Sequence, residues 1–405
     1  MLNLRFYNSC LWNLRINGRW YRCCDPKELT VCEIDRPEAL TKIKQICDQP
    51  DKLDEWEEAP FPAPLSSESS LVYTINMDAG TLEVTYFAMA RHHAQSRTNW
   101  YDLRTVYEAS SLSKPEPFPT PQTPGQIMDD ELAQLTLEPL HLELDFPTPL
   151  NELQARLYVH FIFVWRWHFM DPITWRYNSP ALNYFCMAIL RLAAWDLEVS
   201  YDTDVKLPMS PHAVPPWSGP KDNIYWYHGF LVVHHDNLET QHMTRSAIHK
   251  AQQYLERTAA ARQRHARLII MSPGHIVFAE VADDDTIRAS SPSLLISPMS
   301  GNRRSAGFRA LCGVFTSNCW PGTTAYREIW KNYLPWELIF PILSDLGPRD
   351  MAAFAQASPA IKKLHYANIH QSIPQFASLA IVSYPLLIPC CGKRSGLEQS
   401  GVLCS

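Results

Sequence analysis

Ala266-Arg267-Leu268-Ile269-Ile270-Met271, the turn Ser272-Pro273-Gly274, and His275-Ile276-Val277-Phe278-Ala279-Glu280-Val281 decide the fold class. Both apolar runs are short and β-branched, and Ser-Pro-Gly separates them, so they read as two paired strands. Asp283-Asp284-Asp285 then turns the chain into a further strand at Thr286-Ile287-Arg288-Ala289. The three acids lack the alternate spacing of a calcium loop and read as a solvated turn. Upstream, Leu238 to Arg262 has helical periodicity, with Asp236 or Asn237 placed to cap its start. A helix followed by a small antiparallel meander predicts an α+β fold.

The run Ile224 to Asp236 leads into that helix, and the neighbourhood is rich in imidazoles: His228, His234, His235, His242 and His249. Three imidazoles could hold zinc. However, His-Glu-x-x-His is absent and no carboxylate follows a helical histidine, so no metal or other cofactor is expected.

Further upstream, Leu153, Leu157, His160, Phe161, Val164 and His168 share one face of a helix beginning at Asn151, and Pro180 opens a second apolar helix running to Leu197. His160 and His168 read as core histidines rather than an acid–base pair. Residues 114–150 are proline-rich and acidic, a semi-rigid linker, and residues 203–220 form a second proline-rich connection. At the N-terminal end, Leu11 to Tyr21 predicts a hairpin turning at Asn17-Gly18, and Pro37 to Ile46 a short helix. Residues 71–76 and 81–87 predict another hairpin, with Asp78 as a turn aspartate bonding its own backbone. Cys10, Cys23, Cys24 and Cys32 include no Cys-x-x-Cys pair, so thiols rather than a zinc finger are expected.

The 405 residues are 46% hydrophobic with a net charge of −6, which provides for a large core and argues against a nucleic-acid binder. Thirty-two prolines against 14 glycines make many connections stiff. The first residues lack the apolar core of a secretory signal, so reduced cysteines and a cytoplasmic or nuclear location are expected. No membrane span is expected: the apolar run 157–170 is short and carries charges, and prolines break the one at 371–392.

One stretch carries the functional reading: Leu334-Pro335-Trp336-Glu337-Leu338-Ile339-Phe340-Pro341-Ile342-Leu343-Ser344-Asp345-Leu346-Gly347-Pro348-Arg349-Asp350-Met351-Ala352-Ala353-Phe354. Two amphipathic segments follow one another, each opened by a proline with an acid two residues on, which suits the positive end of a helix. Leu334, Leu338 and Ile342 form one apolar row and Ile339, Leu343 and Leu346 the next. Pro341 predicts a kink, since a proline inside a helix costs about 3 kcal/mol. Ile361 and Leu364 could supply a third short helix.

This stretch resembles the F-box, a compact three-helix motif. The resemblance implies docking on the Skp-type adaptor of cullin–RING ubiquitin ligases, with Leu334, Pro335, Glu337, Leu338, Ile339, Ile342, Leu343, Leu346, Asp350 and Phe354 at the adaptor or in the motif's own core. Gly347 departs from the family's frequent Ser or Thr cap. The hairpin at 71–87, Tyr225 to Gly229, the helix and the meander are similar in order to large F-box proteins of filamentous fungi. The resemblance thus implies a substrate receptor that works by proximity, with no bond chemistry of its own, a cullin reached through the adaptor, and an unidentified target held by the upstream α+β region. The alternatives are an interaction protein outside ligase work and, less favoured, a metal-dependent hydrolase on the histidines at 228–249. The expected division is 1–59, a hairpin-containing segment 60–113, linker 114–150, central α+β domain 151–320, motif 330–368 and tail 369–405.

Overall fold

The computed structural model describes residues 9–25, 37–49, 56–66, 69–90, 93–112, 114–117, 135–170, 180–196, 217–258, 265–282, 286–296, 305–317, 319–320, 341–342, 345–357 and 361–362, with 132, 215 and 366. Two mixed sheets with helices on their faces make it α+β.

The first sheet has the order β3-β2-β1-β4-β5-β6. Strands β1 (Ser9–Ile16) and β2 (Arg19–Asp25) meet at Asn17-Gly18, whose φ angles of 52° and 76° suit the tight hairpin turn that follows the strands' own twist. Helix α1 (Pro37–Asp48) and strand β3 (Glu57–Ala59) follow, then β4 (Ser69–Asn76), β5 (Thr81–Ala90) and β6 (His93–Asp102), and helix α2 (Leu103–Glu108). Residues expected in two segments, 1–59 and 60–113, therefore share one sheet. β1 and β4 pair in parallel, a long-range pairing that stacks Trp12 on Tyr73 at 4.2 Å. One face packs on Leu40 and Ile43 of α1 and Val106 of α2. On the other face lies the segment Phe61–Ser66, pinned because buried Asn13 both donates to Ala63 O (3.0 Å) and accepts from Ala63 N (2.8 Å). Asp78 corrects its expected role: its carboxylate accepts from Asn17 N (2.8 Å) and Gly18 N (2.9 Å) of the other hairpin, while Asn76 caps the local turn at Ala79.

The second sheet has the order β7-β12-β11-β10-β9-β8, with β13 also paired to β11. Its edge strand β7 (Glu138–Pro139) comes from the stretch read as linker, and Leu140 beside it is buried. Helix α3 (Pro149–Val164) starts at a capping box of Thr148 and Asn151, and short α4 (Arg166–Met170) and α5 (Pro180–Ala194) follow. Strands β8 (Ile224–Tyr227) and β9 (Phe230–His234) form a hairpin. Helix α6 (Gln241–Thr258) then crosses over to β10 (Ala266–Met271), which pairs in parallel with β9. β11 (His275–Val281), β12 (Ile287–Ala289) and β13 (Ser293–Leu294) complete the meander, and α7 (Ala306–Thr316) follows. α8 (Pro348–Ala357) belongs to the C-terminal motif.

Alternate residues of β9 and β10 divide the core. Phe230, Val232, Ile269 and Met271 face α5 and α7, whereas Leu231, Val233, Leu268 and Ile270 face α6. Both faces of this sheet are covered, which is why its strands are almost continuously apolar. Gly307 lets α7 sit this close: a Cβ there would lie 2.6 Å from Ile276 Cγ2 and 2.7 Å from Leu294 O.

Three expectations shift. The buried face of α3 is Leu150, Leu153, Gln154, Ala155 and Tyr158, and His160 is exposed. Tyr158 sets that rotation by stacking on Phe308 at 4.0 Å and donating to Leu295 O at 2.6 Å. His168 is buried but lies beyond the break at Trp165, not on α3. Finally, Thr240 rather than Asp236 or Asn237 caps α6, accepting from Met243 N at 3.3 Å.

The two sheets are joined by Phe61. Its fully buried ring sits with Trp165, Ala181 and Phe185, beside His168. Its carbonyl meanwhile accepts from Arg22 Nε (3.1 Å) and Nη2 (2.7 Å).

Candidate functional site

Of the residues expected to meet an adaptor, Leu334, Pro335, Glu337, Leu338, Ile339 and Leu343 lie outside the described residues. Ile342 is helical and 41% exposed, a large apolar side chain turned to solvent. Leu346 is half-buried, and Asp350 is exposed in the first turn of α8, where a negative charge favours the helix dipole. Gly347, in the cap position, accepts from Met351 N through its carbonyl. Phe354 is half-buried and packs with Met351 on buried Ile361, so its contact is inside the motif.

The motif's inner side is fixed to the central helices. Ala355 and Tyr366 are buried with Leu150 and Leu153 of α3. Tyr366 OH donates to Ala194 O at the end of α5 (2.8 Å), and Lys362 Nζ donates to Val314 O of α7 (3.0 Å). Neither anchor has a signal in the sequence, because each bond ends on a backbone carbonyl that becomes available only where a distant helix finishes.

A second polar constellation lies where α5 ends. The chain leaves the helix through Trp195 at φ 57°, with Asp196 N donating back to Arg191 O at 2.8 Å. This is the left-handed exit that glycine usually supplies, here made by tryptophan. Asp196 is thereby turned under the β8–β9 hairpin. Its Oδ2 accepts from Tyr227 OH and from His228 Nε2, both at 3.0 Å. His228 itself has φ 46° and opens the hairpin turn with Gly229. The side chains of His228 and Asp196 are only 4% and 2% exposed. Burial, then the Asp196 charge, holds the Tyr227 phenol above its ordinary value. Among the described residues, Asp196 Oδ1 has no partner.

Next to it runs a neutral relay. Tyr225 OH lies 3.1 Å from His234 Nε2, and His234 Nδ1 2.6 Å from Asn183 Oδ1. Asn183 Nδ2 donates to Pro220 O, so its oxygen faces the ring; Nδ1 then carries the proton and Nε2 accepts from the phenol. Burial pulls His234 down to about 3, which keeps the imidazole neutral.

His228 and Asp196 form the histidine–acid half of a general-base arrangement. Among the described residues, no serine, threonine or cysteine hydrogen-bonds to His228 to serve as nucleophile. His235 is tied to Asn237 and His249 to Gln253. No three His, Cys, Asp or Glu side chains among the described residues converge on a point where a metal ion could sit. Asn183 and Asp196, bonded to His234, Tyr227 and His228, fasten α5 and its exit to the hairpin. Comparison with family models, curated proteins and solved structures finds no match to this chain.

Proposed function

We propose that the protein is a substrate-receptor subunit of a cullin–RING ubiquitin ligase. Residues 334–364 take the Skp-type adaptor, and the upstream α+β body holds a target protein. The observation that carries this reading is the two-sidedness of the motif. Ala355, Ile361 and Tyr366 are buried on its inner side, while Ile342 and Asp350 face solvent. Ile342 thus stands on the solvent side, where the resemblance of residues 334–354 to the F-box requires an adaptor-facing side chain. The catalytic contribution is proximity: a held target meets an activated ubiquitin-conjugating enzyme at raised effective concentration.

The test is a pull-down with the full chain as bait. Recovery of the adaptor together with a cullin, lost when Leu334→Ala is combined with Pro335→Ala, supports the reading. Adaptor recovered without any cullin would instead favour an interaction protein outside ligase work.

A further inference from the structure

We propose that Lys362 is a pH-sensitive latch that holds the C-terminal motif on the body of the protein and lets go when its amine takes up a proton. The motif has three described attachments, and two carry no charge near neutrality: the Ala355 contact with Leu150 and Leu153, and the Tyr366 hydrogen bond to Ala194 O. The third is the Lys362 amine, a residue only 7% exposed, bonded to Val314 O at the C-terminal end of α7. No carboxylate among the described residues pairs with that amine. The groups that face it are the Cys319 thiol, itself pushed up by burial and so uncharged, and the Arg267 guanidinium of β10, which repels a second cation. Asp145 acts on Cys319 and forms no ion pair with Lys362.

A buried amine in such surroundings prefers to be neutral, and burial pulls it down to about 7. When the motif lifts off, the amine returns to water and its ordinary value near 10.4. The docked value is the lower one, so docking is strongest above the free value and weakens as pH falls toward the docked value. Between the two, lifting off takes up one proton, which changes the open population about tenfold per pH unit.

The latch stands on its own geometry. Its consequence for a ligase, that release would let the adaptor-bound motif swing relative to the held target, rests on the proposed function. The experiment is hydrogen exchange on the full chain from pH 7.5 to 9.5. Protection of the α8 amides, corrected for intrinsic exchange, is compared among wild type, Lys362→Met and Lys362→Gln. The wild type should gain roughly 100-fold protection across two pH units, and both variants should be flat. A flat wild type, or variants that keep the slope, would overturn the latch; the wild-type slope decides even if one variant fails to fold. Adaptor pull-down on the same proteins separates the two ideas. A slope without adaptor binding keeps the latch and removes the ligase reading, whereas binding without a slope does the reverse.

Discussion

Phe61→Ala should come close to uncoupling the N-terminal sheet from the helices of the second. The Phe61 ring is fully buried, with centroids of His168 and Tyr184 at 5.5 Å and of Phe185 at 5.7 Å. Arg22 lies 5.5 Å above it, a guanidinium so buried that it is pulled down to about 10. Truncating a buried phenylalanine costs about 3–5 kcal/mol, and the upper half of that range applies because rigid aromatic neighbours collapse poorly into the gap. Against a typical total of about 5–15 kcal/mol, that is a large fraction. The Arg22 bonds to the Phe61 carbonyl survive the substitution, so the loss reports the ring's packing together with its contact to the Arg22 guanidinium. The assay is urea denaturation followed by tryptophan fluorescence, with free energy taken from the midpoint at unchanged slope. Destabilisation below about 1 kcal/mol would refute the idea that this ring joins the two sheets.

Two further substitutions probe the polar contacts. Asp196→Ala leaves Tyr227 OH and His228 Nε2 buried without their acceptor, at about 1–3 kcal/mol each, and Asp196→Asn, which keeps an acceptor, should cost clearly less in a thermal melt. Asp78→Ala removes the acceptor for Asn17 N and Gly18 N at an exposed turn, where water substitutes. Exchange of those two amides should rise about tenfold while global stability falls by about 1 kcal/mol or less.

Local signals carried the N-terminal hairpins, α1 and the 266–289 meander, because Asn17-Gly18, the 78–80 turn and Ser272-Pro273-Gly274 fix those turns within a few residues. Pairings that need distant chain were hidden. Nothing in Trp12 or Tyr73 announces that β1 and β4 lie parallel, and nothing in Glu138-Pro139 announces a strand. The β8–β9 turn at His228-Gly229 also escaped, since histidine seldom takes the left-handed conformation. α7 has regular apolar spacing, yet only Ser305 marks its start. The buried face of α3 is hidden in the sequence because the aromatic run 161–169 is equally apolar from several sides, and the Tyr158 partners lie more than a hundred residues on. At the site, the motif's second helix was legible from Pro348 and Asp350. The anchors Lys362 and Tyr366, and the turn that buries Asp196, depend on where other helices end.

Titration of the purified full chain with a Skp-type adaptor tests the account most directly. It predicts a one-to-one complex that Leu334→Ala with Pro335→Ala abolishes and that Ile342→Asp weakens at least tenfold, about 1.4 kcal/mol, with the fold intact by circular dichroism. An adaptor that does not bind, or that binds wild type and both variants equally, would contradict it.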